Sequence, residues 1–138
     1  MPTRRPVVRH FIACEEVEET LTPEGRQYSL KRLVHRIRPL PGATFPRIHP
    51  GLSFFVMLSD AEGVHEFSME VVYWSQGEQV SLWRTKTVPR DLGPDPLAVH
   101  GWPIRLRNIL LPQAGDYDFV LWCDGGIIAR ETIHVGGA

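Results

Sequence analysis

Six histidines are the residues of this chain best suited to binding a metal or moving a proton. They are His10, His35, His49, His65, His100 and His134. No two of them stand at the short spacing that zinc ligands usually have, so the sequence predicts no metal site within one element. A site assembled in space, for example from His49 and His100 on two proline-rich segments, stays open.

The two cysteines and a group of aspartates are the other candidates for chemistry. Cys14 and Cys123 form no Cys-x-x-Cys pair, and we predict two buried thiols rather than a disulfide. Cys123 has no neighbouring base in sequence, which disfavours a nucleophile. Asp116, Asp118 and Asp124 resemble clustered calcium ligands, but the first two share a solvent face and the third is a turn residue.

Sequence motifs for catalysis are missing as well. The chain has no P-loop, no Gly-x-Gly-x-x-Gly, no His-Glu-x-x-His and no Gly-x-Ser-x-Gly. We therefore predict no catalytic residue, no metal and no cofactor, and we lean against an enzyme.

Charge is uneven along a chain whose formal net charge is −1. Residues 1–50 hold nine Lys/Arg and five Glu, a balance of +4, and residues 51–138 hold six Lys/Arg and eleven Asp/Glu, a balance of −5. The basic residues are densest at Arg26, Lys31, Arg32, Arg36 and Arg38. We interpret this stripe as a solvated face rather than a phosphate-binding surface, and we predict no nucleic-acid partner. No stretch suits a membrane span or a signal peptide, so we expect a cytoplasmic protein without a membrane partner.

The elements that must position these residues are clearest in residues 111–136. Apolar and other side chains alternate along one strand, with one buried face. That face carries Tyr117, Phe119, Leu121 and Cys123. Asp124-Gly125-Gly126 then supplies a tight turn into a second strand. The pattern predicts an antiparallel hairpin.

The register of this hairpin follows from its faces. A two-residue loop would mix core and solvent faces, whereas a three-residue loop with Gly126 left-handed makes them agree. The longer loop sets Leu121 opposite Ala129, and Tyr117 opposite Ile133. It also sets Asp116 opposite His134.

The remaining chain also predicts strands separated by turns. Residues 7–14 form a first strand before an acidic turn. Residues 28–37 have both helical and alternating spacing, and we favour a strand with a bulge. The loops 39–51 and 89–101 are rich in proline. The whole predicts an all-β protein, a single antiparallel immunoglobulin-like β-sandwich of about seven or eight strands, with residues 1–138 as one domain.

The chain resembles an uncharacterised family of small bacterial β-sandwich domains. The resemblance rests on the opening strand Val7–Cys14, on Phe45-Pro46 before an apolar strand, and on the ending Leu-Pro-x-x-Gly-x-Tyr-x-Phe-x-Leu from Leu111. It implies a compact sandwich and transfers no catalytic residue. Gly115-Asp116-Tyr117 also resembles the tyrosine corner of immunoglobulin-type folds, although Phe119 stands where those folds have a cysteine.

An outward apolar patch is the functional feature that the strand pattern favours. If strands 52–58 and 117–123 share a sheet, five apolar side chains lie together on its outer face. They are Phe55, Met57, Val120, Trp122 and Ile128. Either a partner or one of the two loops covers this patch. We expect a non-catalytic module that self-associates, as a homodimer, or binds a protein partner through the patch. The alternative is a small-ligand binder or an enzyme that uses the loops 39–51 and 89–101.

Overall fold

A computed structural model of the chain describes residues 5–38, 42 and 44–137. Within them the backbone forms ten strands and no helix, which confirms the all-β prediction. The strands are β1 (Val7–Thr22), β2 (Gly25–Leu33), β3 (Arg36–Ile37), β4 (Arg47–Ser59), β5 (Val64–Ser75), β6 (Glu78–Arg84), β7 (Val88–Asp91), β8 (His100–Leu111), β9 (Gly115–Cys123) and β10 (Gly126–Val135). The count exceeds our prediction because β3 and β7 are too short to show an alternating pattern.

The strands form two sheets. The first has the order β2-β1-β4-β8, and the second has the order β3-β10-β9-β5-β6 with β7 also paired to β5. The pairing of β3 with β10 is parallel, and the other pairings are antiparallel. β4 belongs to the first sheet and β9 to the second, a division that decides where the predicted patch residues lie.

The two sheets share one hydrophobic core. Phe54 of β4 is fully buried, and its ring centroid lies 5.0 Å from that of Phe11 in the same sheet. It also lies 5.1 Å from the ring of Phe119 in the second sheet. Phe67 and Trp102 make a second aromatic contact between the sheets, at 5.2 Å. The core therefore sits between the sheets and is held by aromatic pairs.

The first sheet is strongly curled. β2 and β8 lie at its opposite edges, yet the Tyr28 hydroxyl donates a hydrogen bond to the Gly101 carbonyl at 2.9 Å. Phe55 packs in the resulting hollow, 4.9 Å from the Tyr28 ring. A Cβ on Gly101 would meet the Phe55 ring at 3.0 Å, so the glycine permits this approach. The curl brings β2 next to the start of β8.

Residues 28–37 are extended and not helical, as we favoured. β2 ends at Leu33, and the short β3 follows after Arg32 takes a left-handed conformation with φ of 55°. The acidic turn after Cys14 is wrong, because β1 continues to Thr22. Its glutamates face cations of β2 across the strand pair, as in the 2.7 Å contact between Glu18 and Lys31. Such cross-strand pairs let a charged sequence stay extended.

The closing hairpin has the predicted register but a different turn. Tyr117 pairs with Ile133 and Leu121 pairs with Ala129, which confirms the register. The loop, however, has two residues, because Cys123 pairs directly with Gly126. Asp124 and Gly125 take φ of 50° and 80°, as a type I′ turn requires. A bulge between residues 127 and 129 then restores the faces that we had assigned to a longer loop.

The hydroxyl of Tyr117 makes the hydrogen bonds to the preceding backbone that are typical of a tyrosine corner. The fully buried Tyr117 donates from its hydroxyl to the Gln113 carbonyl at 2.5 Å. The same hydroxyl accepts from the Gln113 amide at 3.2 Å. This side chain therefore fixes the turn that enters β9.

We expect Tyr117→Phe to lower the free energy of unfolding by about 1–2 kcal/mol, because a buried backbone pair loses its partner. Chemical denaturation measures this value. Tyr73→Phe is the matched control, since the Tyr73 ring stacks on Tyr117 at 5.7 Å and its hydroxyl has no hydrogen bond among the described residues; we expect a change below about 0.5 kcal/mol. Equal effects of the two variants would mean that the Tyr117 hydroxyl does not hold the turn.

Candidate functional site

The five predicted patch residues do not form one surface. Phe55 and Met57 lie on β4 in the first sheet, whereas Val120 and Trp122 lie on β9 in the second. Ile128 lies on β10, also in the second sheet. Our condition that the strands share a sheet is therefore not met.

Burial also differs from the expectation of an open patch. Phe55 is 6% exposed and Val120 is 1% exposed, so the chain itself covers both. Ile128 packs against the main core, and because of the bulge Ile127 stands opposite Trp122 instead. Of the five, Trp122 and Met57 are partly exposed on the outer faces of different sheets.

Trp122 is contacted by two polar neighbours. Its indole Nε1–H donates to the Glu70 carboxylate at 3.0 Å. The Arg84 guanidinium lies 4.3 Å from the ring centroid. Both residues belong to neighbouring strands of the same sheet, which explains why a tryptophan is tolerated there.

The two proline-rich loops are shorter than we predicted. Residues 39–41 and 43 lie outside the described residues, and residues 47–51 belong to β4. His49 lies nine positions before Leu58 on β4, and Leu58 pairs with His100. At about 3.3 Å per residue the two histidines are about 30 Å apart along the strand, so they cannot share a metal.

The structure instead brings together His65, Cys123 and Asp124. Their ligand atoms all lie within 4.8 Å of one another, although His65 is distant from the other two in sequence. His65 Nδ1 lies 2.6 Å from Asp124 Oδ2, and its Nε2 lies 2.9 Å from the Glu62 carbonyl. The Cys123 thiol donates to Asp124 Oδ2 at 3.7 Å. Imidazole, thiolate and carboxylate are ligands that zinc accepts.

The hydrogen bonds of this cluster describe a structural clamp. The Glu66 amide donates to Asp124 Oδ1 at 2.9 Å, so the carboxylate ties the hairpin turn to β5. These bonds use the lone pairs that a metal would need. Burial, followed by the adjacent Asp124 carboxylate, raises the pKa of Cys123 to about 12. A fully buried thiol that resists ionisation is a poor nucleophile.

The second candidate is a cleft of about 390 Å³ where the curled β2 approaches the segment from β7 to β8. It is lined by Arg26, Tyr28, Arg90, Asp91, Leu92, Val99, His100, Gly101 and Trp102. We call it the arginine cleft. Tyr28 is engaged with Gly101, so the polar groups left to contact a ligand are two guanidiniums, one imidazole, an indole and the carboxylate of Asp91.

Arg90 has an unusual environment for a cation. Its guanidinium lies 4.2 Å from the centroid of the Trp102 ring. Residue Arg90 as a whole is exposed. Within the described residues it makes no ion pair and no hydrogen bond to a side chain, whereas the neighbouring Asp91 carboxylate accepts from the Gly93 amide at 2.9 Å. The charge of Arg90 therefore lacks a described counter-ion.

Two further groups of the cleft can face an anion. Arg26 has a loose contact with Glu19, 3.8 Å between Nη1 and Oε2. His100 Nε2 is buried and has no hydrogen-bond partner among the described residues. Arg26 and Arg90 therefore bring two guanidiniums to the cleft, and Arg90 is the one without a described ion-pair partner.

A larger groove of about 540 Å³ lies elsewhere on the curled sheet, lined in part by Lys31, Arg32, Arg105 and Arg107. Most of its cations are paired. Arg32 lies 3.3 Å from Glu15, and Arg105 lies 3.7 Å from Glu19. Because these charges are already compensated, the groove offers less to an anion than the arginine cleft does.

Some residues of the arginine cleft were already part of our sequence predictions. Arg26 stood in the basic stripe that we interpreted as a solvated face, while Arg90 and His100 fell in the loop 89–101 of our alternative function. The curl of the first sheet, which no local pattern reveals, joins them.

Comparisons with known proteins identify the family of this chain and a solved structure with a similar fold. A family model described as a family of unknown function (DUF6941) matches residues 10–136. A search of curated proteins finds no match. Among solved structures, the chain is similar to the Pseudomonas fluorescens alkylpurine DNA glycosylase AlkC bound to DNA containing an abasic site analog. The TM-score is 0.54 at 10% identity, over 96% of this chain and 30% of that one, so the likeness shows the fold alone. In the described part of the chain, no helix is long and apolar enough to cross a membrane.

Proposed function

We propose that this chain, which belongs to the family of unknown function DUF6941, is a non-catalytic binding module whose arginine cleft takes an anionic group. One observation carries the proposal: the guanidinium of Arg90 lies against the Trp102 ring in the lining of the cleft and has no ion-pair partner among the described residues. Arg90 is exposed, so a ligand can reach its fork of N–H donors, and an anion would supply the opposite charge.

The donors of the cleft suit a carboxylate or a phosphate. Guanidinium groups bind both in a forked, bidentate way. Arg26 brings a second guanidinium to the cleft. The Trp102 ring holds the Arg90 fork in place through a cation–π contact, which reduces the freedom lost on binding.

Binding without catalysis fits the same residues. Among the described residues the cleft lining contains no cysteine, serine or threonine, and the hydroxyl of Tyr28 is bound to Gly101. Cys123 lies outside the cleft lining, buried in the main core. Nucleophilic catalysis therefore has no support among the groups that line the cleft.

We expect Arg90→Gln to weaken the binding of inorganic phosphate at least tenfold, because a hydrogen bond to a charged group contributes about 1.5–3 kcal/mol. Isothermal titration calorimetry at fixed ionic strength measures the affinity. Arg107→Gln is the control, since this exposed arginine lies in the larger groove. Equal weakening in both variants would indicate general charge attraction and would contradict the cleft.

We propose a small anion rather than nucleic acid as the ligand. The structural neighbour is bound to DNA, but this chain has a net charge of −1 and the cleft presents two arginines. Binding to a DNA backbone normally uses a row of phosphate contacts. A short duplex in the same titration tests this choice, and tight duplex binding that Arg90→Gln abolishes would reverse it.

We further propose that the fold is an immunoglobulin-like β-sandwich forming a single domain. The tyrosine corner at Tyr117 and the core shared by the two sheets support it. Cys14 and Cys123 are both free and buried, in two separate clusters. Two free thiols support a reducing compartment, for which we propose the bacterial cytoplasm.

Self-association through the second sheet is our second candidate function. Its outer face carries Trp74, which is 46% exposed, and farther along the same face the partly exposed Trp122. Ile127 is 45% exposed and stands opposite Trp122. Aromatic and aliphatic side chains on one open face favour a protein contact. Of the five residues we first expected at an interface, Trp122 is the one that this proposal retains.

We expect Ile127→Glu to convert a dimer into a folded monomer, because it places a charge opposite Trp122 on this face. Light scattering measures the mass and thermal melting measures the fold. Ile48→Glu is the control, since Ile48 is 63% exposed on the first sheet. A wild-type protein that is monomeric at high concentration would end this candidate.

A further inference from the structure

An apolar slot of about 200 Å³ adjoins the arginine cleft. It is lined by Phe67, Ser68, Met69, Val88, Arg90, Trp102, Pro103, Ile104 and Leu121. Phe67 and Leu121 come from the second sheet, while Trp102 and Ile104 come from the first. The slot therefore lies where the two sheets meet, and most of its walls are hydrocarbon.

The slot and the cleft share the residues Arg90 and Trp102. The guanidinium lies on the indole face, so charge and apolar surface meet at one boundary. Exposed apolar side chains continue this surface outward, with Val88 53% exposed beside the slot and Val99 59% exposed beside the cleft. Exposed apolar side chains beside unused cationic donors fit a ligand with both characters.

We propose that the ligand is an amphipathic acid, with its carboxylate on Arg90 and Arg26 and an aliphatic chain in the apolar slot. This inference rests on the proposed function, since the carboxylate is the anionic group of the arginine cleft. The aliphatic chain of the ligand would cover Val88 and Ile104, which otherwise contact water. An inorganic anion would leave the slot unused.

The test is a titration with acetate, butyrate, hexanoate and octanoate by isothermal calorimetry, below the concentrations at which they form micelles. We expect the affinity to rise up to about fourfold for each methylene that the slot buries, and then to level off. 1-Octanol, which has the tail without the charge, is expected to bind more weakly than octanoate by tenfold or more.

Two variants test whether the aliphatic chain of the ligand binds in the apolar slot. Val88→Asn should leave acetate binding unchanged and reduce the gain from acetate to octanoate severalfold, because it makes the rim of the slot polar. Val80→Asn is the control on β6, at a residue 36% exposed and outside both cavities. Melting temperatures of both variants verify that each is folded.

The outcomes separate this inference from the proposed function. If acetate and octanoate bind equally well and Arg90→Gln weakens both, the amphipathic ligand is wrong and the anion cleft stands. If octanol binds as tightly as octanoate, the carboxylate assignment is overturned. If no anion binds at all, both proposals fail.

Discussion

Replacing Phe54 by alanine is expected to lower the free energy of unfolding by about 3–5 kcal/mol, the usual cost of removing a buried aromatic ring. Phe54 is fully buried on β4, and it contacts Phe119 of the opposite sheet as well as Phe11 of its own. A cavity there would open between the two sheets, where backbone hydrogen bonds hold each sheet and limit collapse.

Chemical denaturation of Phe54→Ala measures this loss. Ile48→Ala is the control on the same strand, because Ile48 is 63% exposed, and we expect a change within about 0.5 kcal/mol. A loss below 1 kcal/mol for Phe54→Ala would mean that the two sheets do not depend on a common core.

Asp124→Ala is expected to lower the free energy of unfolding by about 3 kcal/mol. The charged carboxylate accepts two hydrogen bonds, and its loss leaves Nδ1 of the buried His65 without a partner. His65 is fully buried, and its Nδ1 would lose the 2.6 Å partner, while the Glu66 amide would lose its acceptor at 2.9 Å. Alanine is also strained at the φ of 50° that this turn imposes.

Asp124→Asn separates these causes. Asparagine tolerates a positive φ and keeps a carbonyl acceptor, so we expect about half of the alanine effect. If Asp124→Asn lowered the free energy of unfolding as much as Asp124→Ala does, the whole effect would come from the charge of the carboxylate. No loss in either variant would contradict the clamp.

The clamp also predicts a pH dependence. Burial raises the pKa of Asp124, but the hydrogen bonds from the Glu66 amide and from His65 outweigh it, so the pKa lies below its usual value. The unfolded chain therefore takes up this proton at a higher pH than the folded chain does. The stabilisation is complete above the ordinary aspartate pKa of about 3.9 and is lost as the pH falls through the lowered pKa. The difference between wild type and Asp124→Asn should shrink over that range.

The closing hairpin shows how far the sequence could be read. Alternation in residues 117–123 and 129–133 determined which faces are buried, and the observed pairing of Tyr117 with Ile133 follows from it. Our predicted three-residue loop was wrong, because a two-residue turn followed by a bulge gives the same pairing of residues between the two strands. The alternation of apolar residues predicts which face of the strand a residue lies on, but it does not predict where a bulge inserts an extra residue.

Our prediction of an acidic turn after Cys14 was wrong for a related reason. Residues 15–19 contain four glutamates, which taken alone favour a turn or loop. Lys31 and Arg32 on β2 supply the opposite charges, as the contacts of Glu18 with Lys31 and of Glu15 with Arg32 show. A strand held by cross-strand pairs cannot be recognised from one of its two partners.

The candidate sites depend on contacts between distant parts of the chain. His65 meets Asp124 across 59 positions, and Tyr28 meets Gly101 across 73. The first contact builds the clamp, and the second belongs to the curl that brings Arg26 near Arg90. The predicted apolar patch failed because alternation assigns faces within a strand but does not say which strands share a sheet.

The central claim is that an anion binds beside Arg90, and the indole N–H signals of the four tryptophans test it most directly. In a nitrogen–proton NMR titration with inorganic phosphate, we predict that the Trp102 signal moves and saturates, because the Arg90 guanidinium lies against its ring. The Trp74 and Trp122 signals should stay in place, since their N–H groups are bound to Asp118 and Glu70 on the outer face of the second sheet. In Arg90→Gln the Trp102 shift should disappear. A Trp102 signal that stays fixed, or that still saturates in Arg90→Gln, would contradict the anion cleft.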